Sequence, residues 1–385
     1  MRLRGRRGQK KELMRVAVIF GTRPEAIKMA PVVRALRDAP GIECRLWSTG
    51  QHRQMLDQVL GLFELRADVD LELMTPGQSL NDLFSAAIVG VDRMLKAETP
   101  DIVLVHGDTS TAAAAATAAF HRQVPVGHVE AGLRSGRMKQ PWPEEFNRRS
   151  VDMVSRLMFA PTEGARENLL AEGVDPAHII VTGNTVVDGL LAMIDRMRKK
   201  PEVRERLDQT FSFLGQERKL VLVTGHRRES FGGGFENICA ALRTLGKDDG
   251  LEILYPVHLN PHVQGPVRRL LGGSPRVHLI EPVDYEAFVY LMDRSDVILT
   301  DSGGVQEEAP SLGKRVLVMR EVTERPEAIE AGVSQLVGTD PNRIVSGVFD
   351  ALAQGVRTDR ENPYGDGQAS RRIVRGLLDA ADDLR

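Results

Sequence analysis

The sequence predicts an α/β protein built as two doubly wound domains. Three observations predict it. Short apolar runs alternate with helix-length amphipathic segments along almost the whole chain. Polar and glycine-rich residues follow directly after the apolar runs. The alternation pauses once, around residues 185–216, and then restarts. Strict alternation of strand and helix implies parallel βαβ units with helices on both faces of each sheet. A chain of 385 residues exceeds one ordinary core and suits two.

The elements follow in order. Arg2, Arg4, Arg6, Arg7, Lys10 and Lys11 form a basic run that no signal-peptide core follows, so residues 1–14 read as a solvated tail. The first domain, residues 15–185, carries candidate strands Val16–Phe20, Cys44–Thr49, Ile102–His106, Val126–Val129, Leu157–Ala160 and Ile179–Val181. Helical periodicity fills the gaps at Glu25–Asp38, Leu80–Lys96 and the alanine-rich Thr111–Phe120. A charged helix, Ile194–Leu207, opens the second domain, residues 186–368. Its candidate strands are Leu220–Thr224, Ile253–Val257, Val277–Ile280, Val297–Thr300 and Val316–Met319. Ala369–Leu384 reads as a terminal amphipathic helix. Two such Rossmann-like domains are expected to face a cleft, because doubly wound sheets bind ligands beyond the carboxyl ends of their strands.

Bulk properties exclude several classes. A net charge of −2 gives no global attraction to nucleic acid or an anionic membrane. No run approaches the roughly 20 apolar residues of a membrane span. Cys44 and Cys239 match no metal spacing, so neither a metal site nor a disulfide framework is expected, and a reducing cytoplasm suits that usage. The loop after the first strand has one glycine, not G-x-G-x-x-G, which excludes dinucleotide binding in its usual mode; a P-loop is absent too. No cofactor is expected.

The chemistry-bearing residues cluster after the strands. In Gly21-Thr22-Arg23-Pro24-Glu25-Ala26-Ile27-Lys28, Pro24 suits a first helical turn, placing Arg23 at a helix start and Lys28 one turn in. Two readings stand: an anion site made by two cations and free backbone N–H groups, or a plain strand–helix turn with solvated charges. Three carboxylates, Asp108, Glu130 and Glu144, occupy neighbouring loop mouths, and clustered carboxylates perturb one another's pKa values as acid–base work requires. Asp108 as an N-cap and Glu144 as a first-turn helix acid are the bland alternatives. The second domain has His226 and Arg227 after one strand, His258 after the next, and Asp301-Ser302-Gly303-Gly304 before a helix start. Bare glycine backbone there suits a phosphate, and Glu308 suits ribose hydroxyls. These residues imply a two-domain enzyme acting on a nucleotide-diphosphate sugar.

The same stretches resemble the non-hydrolysing UDP-N-acetylglucosamine 2-epimerase family. The matches are FGTRPEAIKMAP from Phe20, HGDTST from His106, GHVEAGLRSG from Gly127, PWPEEFNRR from Pro141, GNTVVD from Gly183 and VTGHRRESFG from Val223. They continue with YPVHLNP from Tyr255, LTDSGGVQEEAPSLGK from Leu299, TERPEAIEAG from Thr323 and NPYGDG from Asn362. The resemblance implies a GT-B type fold with the segment 369–385 packed back on the first domain, and a homodimer. It implies interconversion of UDP-GlcNAc and UDP-ManNAc through elimination of UDP and a 2-acetamidoglucal intermediate. It assigns acid–base roles to Asp108, Glu130 and Glu144 and leaving-group support to His226. It assigns UDP contacts to Arg23, Lys28, Ser302, Gly303, Gly304, Glu308 and Arg325. It also implies a regulatory UDP-GlcNAc pocket at Gln51, Gln54, Glu144, Arg227 and His258.

Overall fold

In a computed structural model, residues 13–50, 53–75, 77–215, 217–227, 231–355 and 361–384 are described. The chain divides into two compact units. One comprises the residues through Thr185 together with the segment from Gln368 onward; the other is Val186–Gly367.

The first unit is a seven-stranded parallel sheet. Its strands are β1 (Met14–Phe20), β2 (Ile42–Ser48), β3 (Val69–Asp70), β4 (Ile102–His106), β5 (Val126–Val129), β6 (Leu157–Ala160) and β7 (Ile179–Val181), in the spatial order β3-β2-β1-β4-β5-β6-β7. Its helices are α1 (Arg23–Asp38), α2 (Arg53–Leu62), α3 (Leu80–Ala97), α4 (Ser110–His121), α5 (Glu144–Val154) and α6 (Glu163–Ala171). The central strands are apolar on both faces, as a sheet covered by helices on both sides requires: Val18, Ile19, Val103 and Leu104 are completely buried. The alanines of α4 are buried too, their small side chains letting α3, α4 and α5 pack closely side by side.

The second unit opens with α7 (Thr185–Lys199) and α8 (Pro201–Thr210). Its six parallel strands are β8 (Lys219–Thr224), β9 (Leu251–Pro256), β10 (Val277–Ile280), β11 (Val297–Thr300), β12 (Arg315–Val318) and β13 (Ser334–Leu336), ordered β10-β9-β8-β11-β12-β13. Helices α9 (Gly233–Leu245), α10 (Pro261–Leu271), α11 (Tyr285–Arg294), α12 (Gly303–Glu308), α13 (Pro326–Glu330) and α14 (Pro341–Gln354) cover it. The last helix, α15 (Ala369–Asp379), packs on α1 within the first unit. A side chain at its Gly376 would overlap Ile180.

The α/β class with two doubly wound parallel sheets is the one the sequence predicts. Three details differ. The single charged helix expected at 194–207 is two helices, because Pro201 lacks an amide hydrogen and holds Lys200 off the helical region at φ −120°, ψ 85°. The terminal helix ends at Asp379 rather than Leu384. Strands β3 and β13, of two and three residues, are too short to leave a periodic signal. No helix among the described residues is long and apolar enough to cross a membrane.

Candidate functional site

In the first unit the strand order reverses between β1 and β4. Ligands of doubly wound sheets bind beyond the strand ends at such a point. Two loops meet there. Thr22 caps α1, and Glu25 completes a capping box with it. The Glu25 carboxylate is buried and accepts from Gly21 N at 3.2 Å, Thr22 N at 2.9 Å and Thr109 Oγ1 at 2.7 Å, which ties the β1 loop to the β4 loop. Burial pushes its pKa up, with the donors opposing. A Cβ at Gly21 would lie 2.0 Å from Thr49 Oγ1, so any side chain there would have to displace the buried Thr49. The amides of Gly21 and Thr22 are therefore spent on Glu25. Of the expected anion site, the cations remain: half-buried Arg23, which makes no hydrogen bond or ion pair among the described residues, and Lys28.

Each acidic candidate has a definite partner set. Asp108 pairs with Arg148, and its carbonyl accepts from Asn147 Nδ2 at 2.9 Å. It does not cap α4; the Thr109 hydroxyl does, accepting from Ala112 N at 3.0 Å. Glu130 stands at the end of β5 with a left-handed φ of 70°. Its carboxylate pairs with Lys28 and accepts from Asn184 Nδ2 at 2.9 Å. His106 Nε2 lies 3.8 Å from the same oxygen. Burial pushes the His106 imidazole down to about 3; Glu130 opposes the shift and Lys28 adds to it, so the ring is neutral. Glu144 opens α5, and its Oε2 is buried without a hydrogen-bond partner among the described residues. The adjacent Glu145 is committed: it accepts from Ser135 N at 3.0 Å, Arg148 Nη1 at 3.3 Å and Arg149 Nε at 3.2 Å. Burial would raise its carboxyl, but these donors outweigh it and hold it below the usual range.

The second unit repeats the construction where its order reverses, between β8 and β11. Asp301 is buried, and its Oδ2 accepts from His226 N at 2.7 Å and Arg227 N at 2.8 Å, tying the β8 loop to the β11 loop. Its Oδ1 lies 3.3 Å from His226 Nδ1. Burial lowers the His226 pKa, with Asp301 opposing and Arg227 reinforcing. The His226 ring stacks on His258 with centroids 5.4 Å apart. The Tyr255 hydroxyl donates to Gly225 O at 3.0 Å, steadying the same loop. Ser302 precedes α12 without a side-chain capping bond, and its amide donates to Thr300 Oγ1 at 3.0 Å. A Cβ on Gly303 would stand 3.6 Å from Arg325 Nη2 and 3.9 Å from Arg227 Nη2, so bare backbone faces two guanidinium groups. Gly304 follows it in α12, and Arg325 is itself held by Glu307. Glu308 closes α12, oriented by the Tyr285 hydroxyl, which donates to its Oε1 at 2.8 Å.

The first unit thus gathers Lys28, Asp108, Glu130 and Glu144, with Arg23 at its α1 start. The second gathers His226, Arg227, His258, Ser302, Gly303, Gly304, Glu308 and Arg325. Gln51 lies outside the described residues, as does the basic tail through residue 12; Gln54 is in α2. Sequence reasoning missed Glu25, Arg148, Asn184, Asp301 and Tyr285 as supports. Most stand inside the motifs quoted above, but partnership across 23 to 102 residues leaves no linear signal.

Fold and site define the class: a doubly wound α/β protein of two units, with charged loop-borne groups at each topological switch point. A family model described as UDP-N-acetylglucosamine 2-epimerase matches residues 34–378. The chain is 52% identical over 369 residues to a UDP-N-acetylglucosamine 2-epimerase of Yersinia pestis, covering 94% of this chain and 98% of that one. It is 51% identical over 369 residues to the corresponding protein of Escherichia coli, with the same coverage. A crystal structure of UDP-GlcNAc 2-epimerase from Neisseria meningitidis bound to UDP-GlcNAc matches with TM-score 0.87 at 47% identity, covering 95% of this chain and 100% of that one. The chain belongs to the UDP-N-acetylglucosamine 2-epimerase family.

Proposed function

We propose that this protein reversibly inverts C2 of the sugar in UDP-GlcNAc, giving UDP-ManNAc without releasing free sugar. The observation that carries this reading is the pair Asp108 and Glu130 at the ends of adjacent strands, each with a cation, together with a buried Glu144 oxygen that has no hydrogen-bond partner among the described residues. Family membership and the UDP-GlcNAc bound in the Neisseria relative support it.

The C2 proton has no neighbouring carbonyl, so its removal alone would leave an unstabilised carbanion. Elimination avoids this. A carboxylate takes the C2 proton, the electron pair forms the C1–C2 double bond, and the C1–O bond to UDP breaks. UDP then re-adds at C1 while C2 is protonated on the opposite face. Asp108, Glu130 and Glu144 divide the proton transfers. The second unit, residues 186–367, holds UDP: His226 supports the departing diphosphate, Ser302, Gly303, Gly304 and Arg325 receive it, and Glu308 meets the ribose. Arg23 and Lys28 add positive charge from the first unit. A second UDP-GlcNAc acts as a regulator that favours the active state.

The chain works as a homodimer in the cytoplasm, supplying ManNAc for cell-envelope or capsular glycans. The exposed apolar side chains of Val89, Phe120, Phe146 and Met153 on the packed helices α3, α4 and α5 support the dimer. Proton NMR in deuterium oxide with UDP-GlcNAc tests the reading. Deuterium at C2, with both UDP-sugars at equilibrium and no free ManNAc, is the expected outcome. Free ManNAc with UDP would indicate a hydrolase, and unexchanged substrate would overturn the carboxylate roles.

A further inference from the structure

Behind the acid-bearing loops lies a buried polar chain that the proposed chemistry leaves unused. His128 of β5 is 0% exposed and Asp152 of α5 is 4% exposed. His128 Nδ1 is 2.6 Å from Asp152 Oδ1, and His128 Nε2 is 2.8 Å from the carbonyl oxygen of Gly107. Asp152 Oδ2 lies 2.7 Å from Arg134 Nη1 and accepts from Gly132 N at 3.3 Å. Burial would raise the Asp152 carboxyl, but His128 and Arg134 outweigh it and hold it below the usual range, so it is an acceptor. Both ring nitrogens of His128 therefore face acceptors. An imidazole donates at both only when both carry protons.

The position of this chain gives it meaning. Gly107, at φ 63°, immediately precedes Asp108. Gly132, at φ 83°, lies two residues after Glu130, which itself sits at φ 70°. One end of the chain holds the turn that carries Asp108, and the other holds the turn that carries Glu130.

We propose that His128 and Asp152 are positioning residues: a doubly protonated His128 ring pins the Gly107 carbonyl, while Asp152 pins both that ring and the Gly132 amide, setting Asp108 and Glu130 at a fixed separation. Neither residue touches substrate. The inference rests on the acid–base reading of Asp108 and Glu130. It matters because displacing a reacting group by about 1 Å costs on the order of 10²-fold in rate.

The test uses His128→Leu and His128→Gln in the full chain, reading C2 exchange, UDP affinity by calorimetry and melting temperature. Glutamine keeps an amide donor for the Gly107 carbonyl; leucine keeps none. His128→Leu is expected to lose about 100-fold in kcat with KM and UDP affinity held within about twofold, and His128→Gln to recover about tenfold of that loss. In the parent, nitrogen-15 NMR of labelled histidine is expected to find both His128 ring nitrogens protonated. A single protonated nitrogen overturns the proposal. So does parental kcat in His128→Leu, or a parallel fall in kcat, UDP affinity and melting temperature in both variants. If His128→Leu fails to fold, the His128→Gln kinetics and the ring signature decide. A parent inert toward UDP-GlcNAc sinks the epimerase reading and this inference together, whereas an exchanging parent matched by an equally fast His128→Leu sinks this inference alone.

Discussion

Asp108 pairs with Arg148 and Glu130 with Lys28, and most of each carboxylate is shielded from water. Asp108→Asn and Glu130→Gln preserve shape and remove the proposed proton acceptor. Each is expected to lower kcat by about 10²–10⁴-fold with UDP still bound, as calorimetry would register; near-parental rates in both would remove the acid–base roles. His226→Ala is expected to lower kcat by about 10²-fold, since it deletes a group held beside the proposed leaving diphosphate. His106 makes a different prediction. Its folded pKa, about 3, lies below the ordinary histidine value of 6.5, so the unfolded chain binds the extra proton between those two pH values. The contribution of this group to stability is complete above pH 6.5 and falls as the pH drops toward 3. Urea unfolding of parent and His106→Gln across that window measures it: the variant should lack this component of the slope.

At the scale of elements, each switch point is closed by one buried carboxylate that joins two strand–helix loops, Glu25 in the first unit and Asp301 in the second. Loops so joined cannot move independently, and the candidate site residues they carry gain fixed reference points. The turn after β5 depends on backbone shape as well. Gly132 sits at φ 83°, and a Cβ there would fall 2.2 Å from the carbonyl oxygen of Ala165 in α6. Neither the backbone of α6 nor the turn can yield cheaply. Gly132→Ala is therefore expected to destabilise the protein by on the order of 3 kcal/mol, read from denaturant melts, and to reduce turnover in whatever fraction folds. An unchanged melt would mean that α6 shifts freely.

For the whole molecule, the prediction concerns self-association. Helices α3, α4 and α5 pack side by side and leave Phe120 at 57% and Met153 at 84% exposure. A charge on this face costs little in a monomer and much in a packed interface. Phe120→Lys with Met153→Lys is expected to convert a dimer to a monomer in light scattering, with secondary structure retained. A parent that already runs as a monomer would dismiss the dimer; a double variant that stays dimeric would place the contact elsewhere.

Periodicity and punctuation make most of the architecture legible in the sequence. Apolar runs such as Val126–Val129 and Val297–Thr300 appear as strands within the bounds expected, because a strand buried on both faces must be continuously apolar. The candidate acids were legible as residue types after strand ends, since chemistry in this fold class concentrates there. Tertiary structure alone decided which charge meets which. Lys28 and Glu130 are 102 residues apart, and Asp108 and Arg148 are 40 apart. It also decided that Thr109, not Asp108, caps α4, that Glu145 is tied up while Oε2 of its neighbour Glu144 has no partner among the described residues, and that Glu25 consumes the amides an anion was expected to find. The reason is physical. Strand and helix follow from local periodicity and burial, whereas hydrogen bonds and ion pairs depend on positions that only the closed sheet brings within about 3 Å.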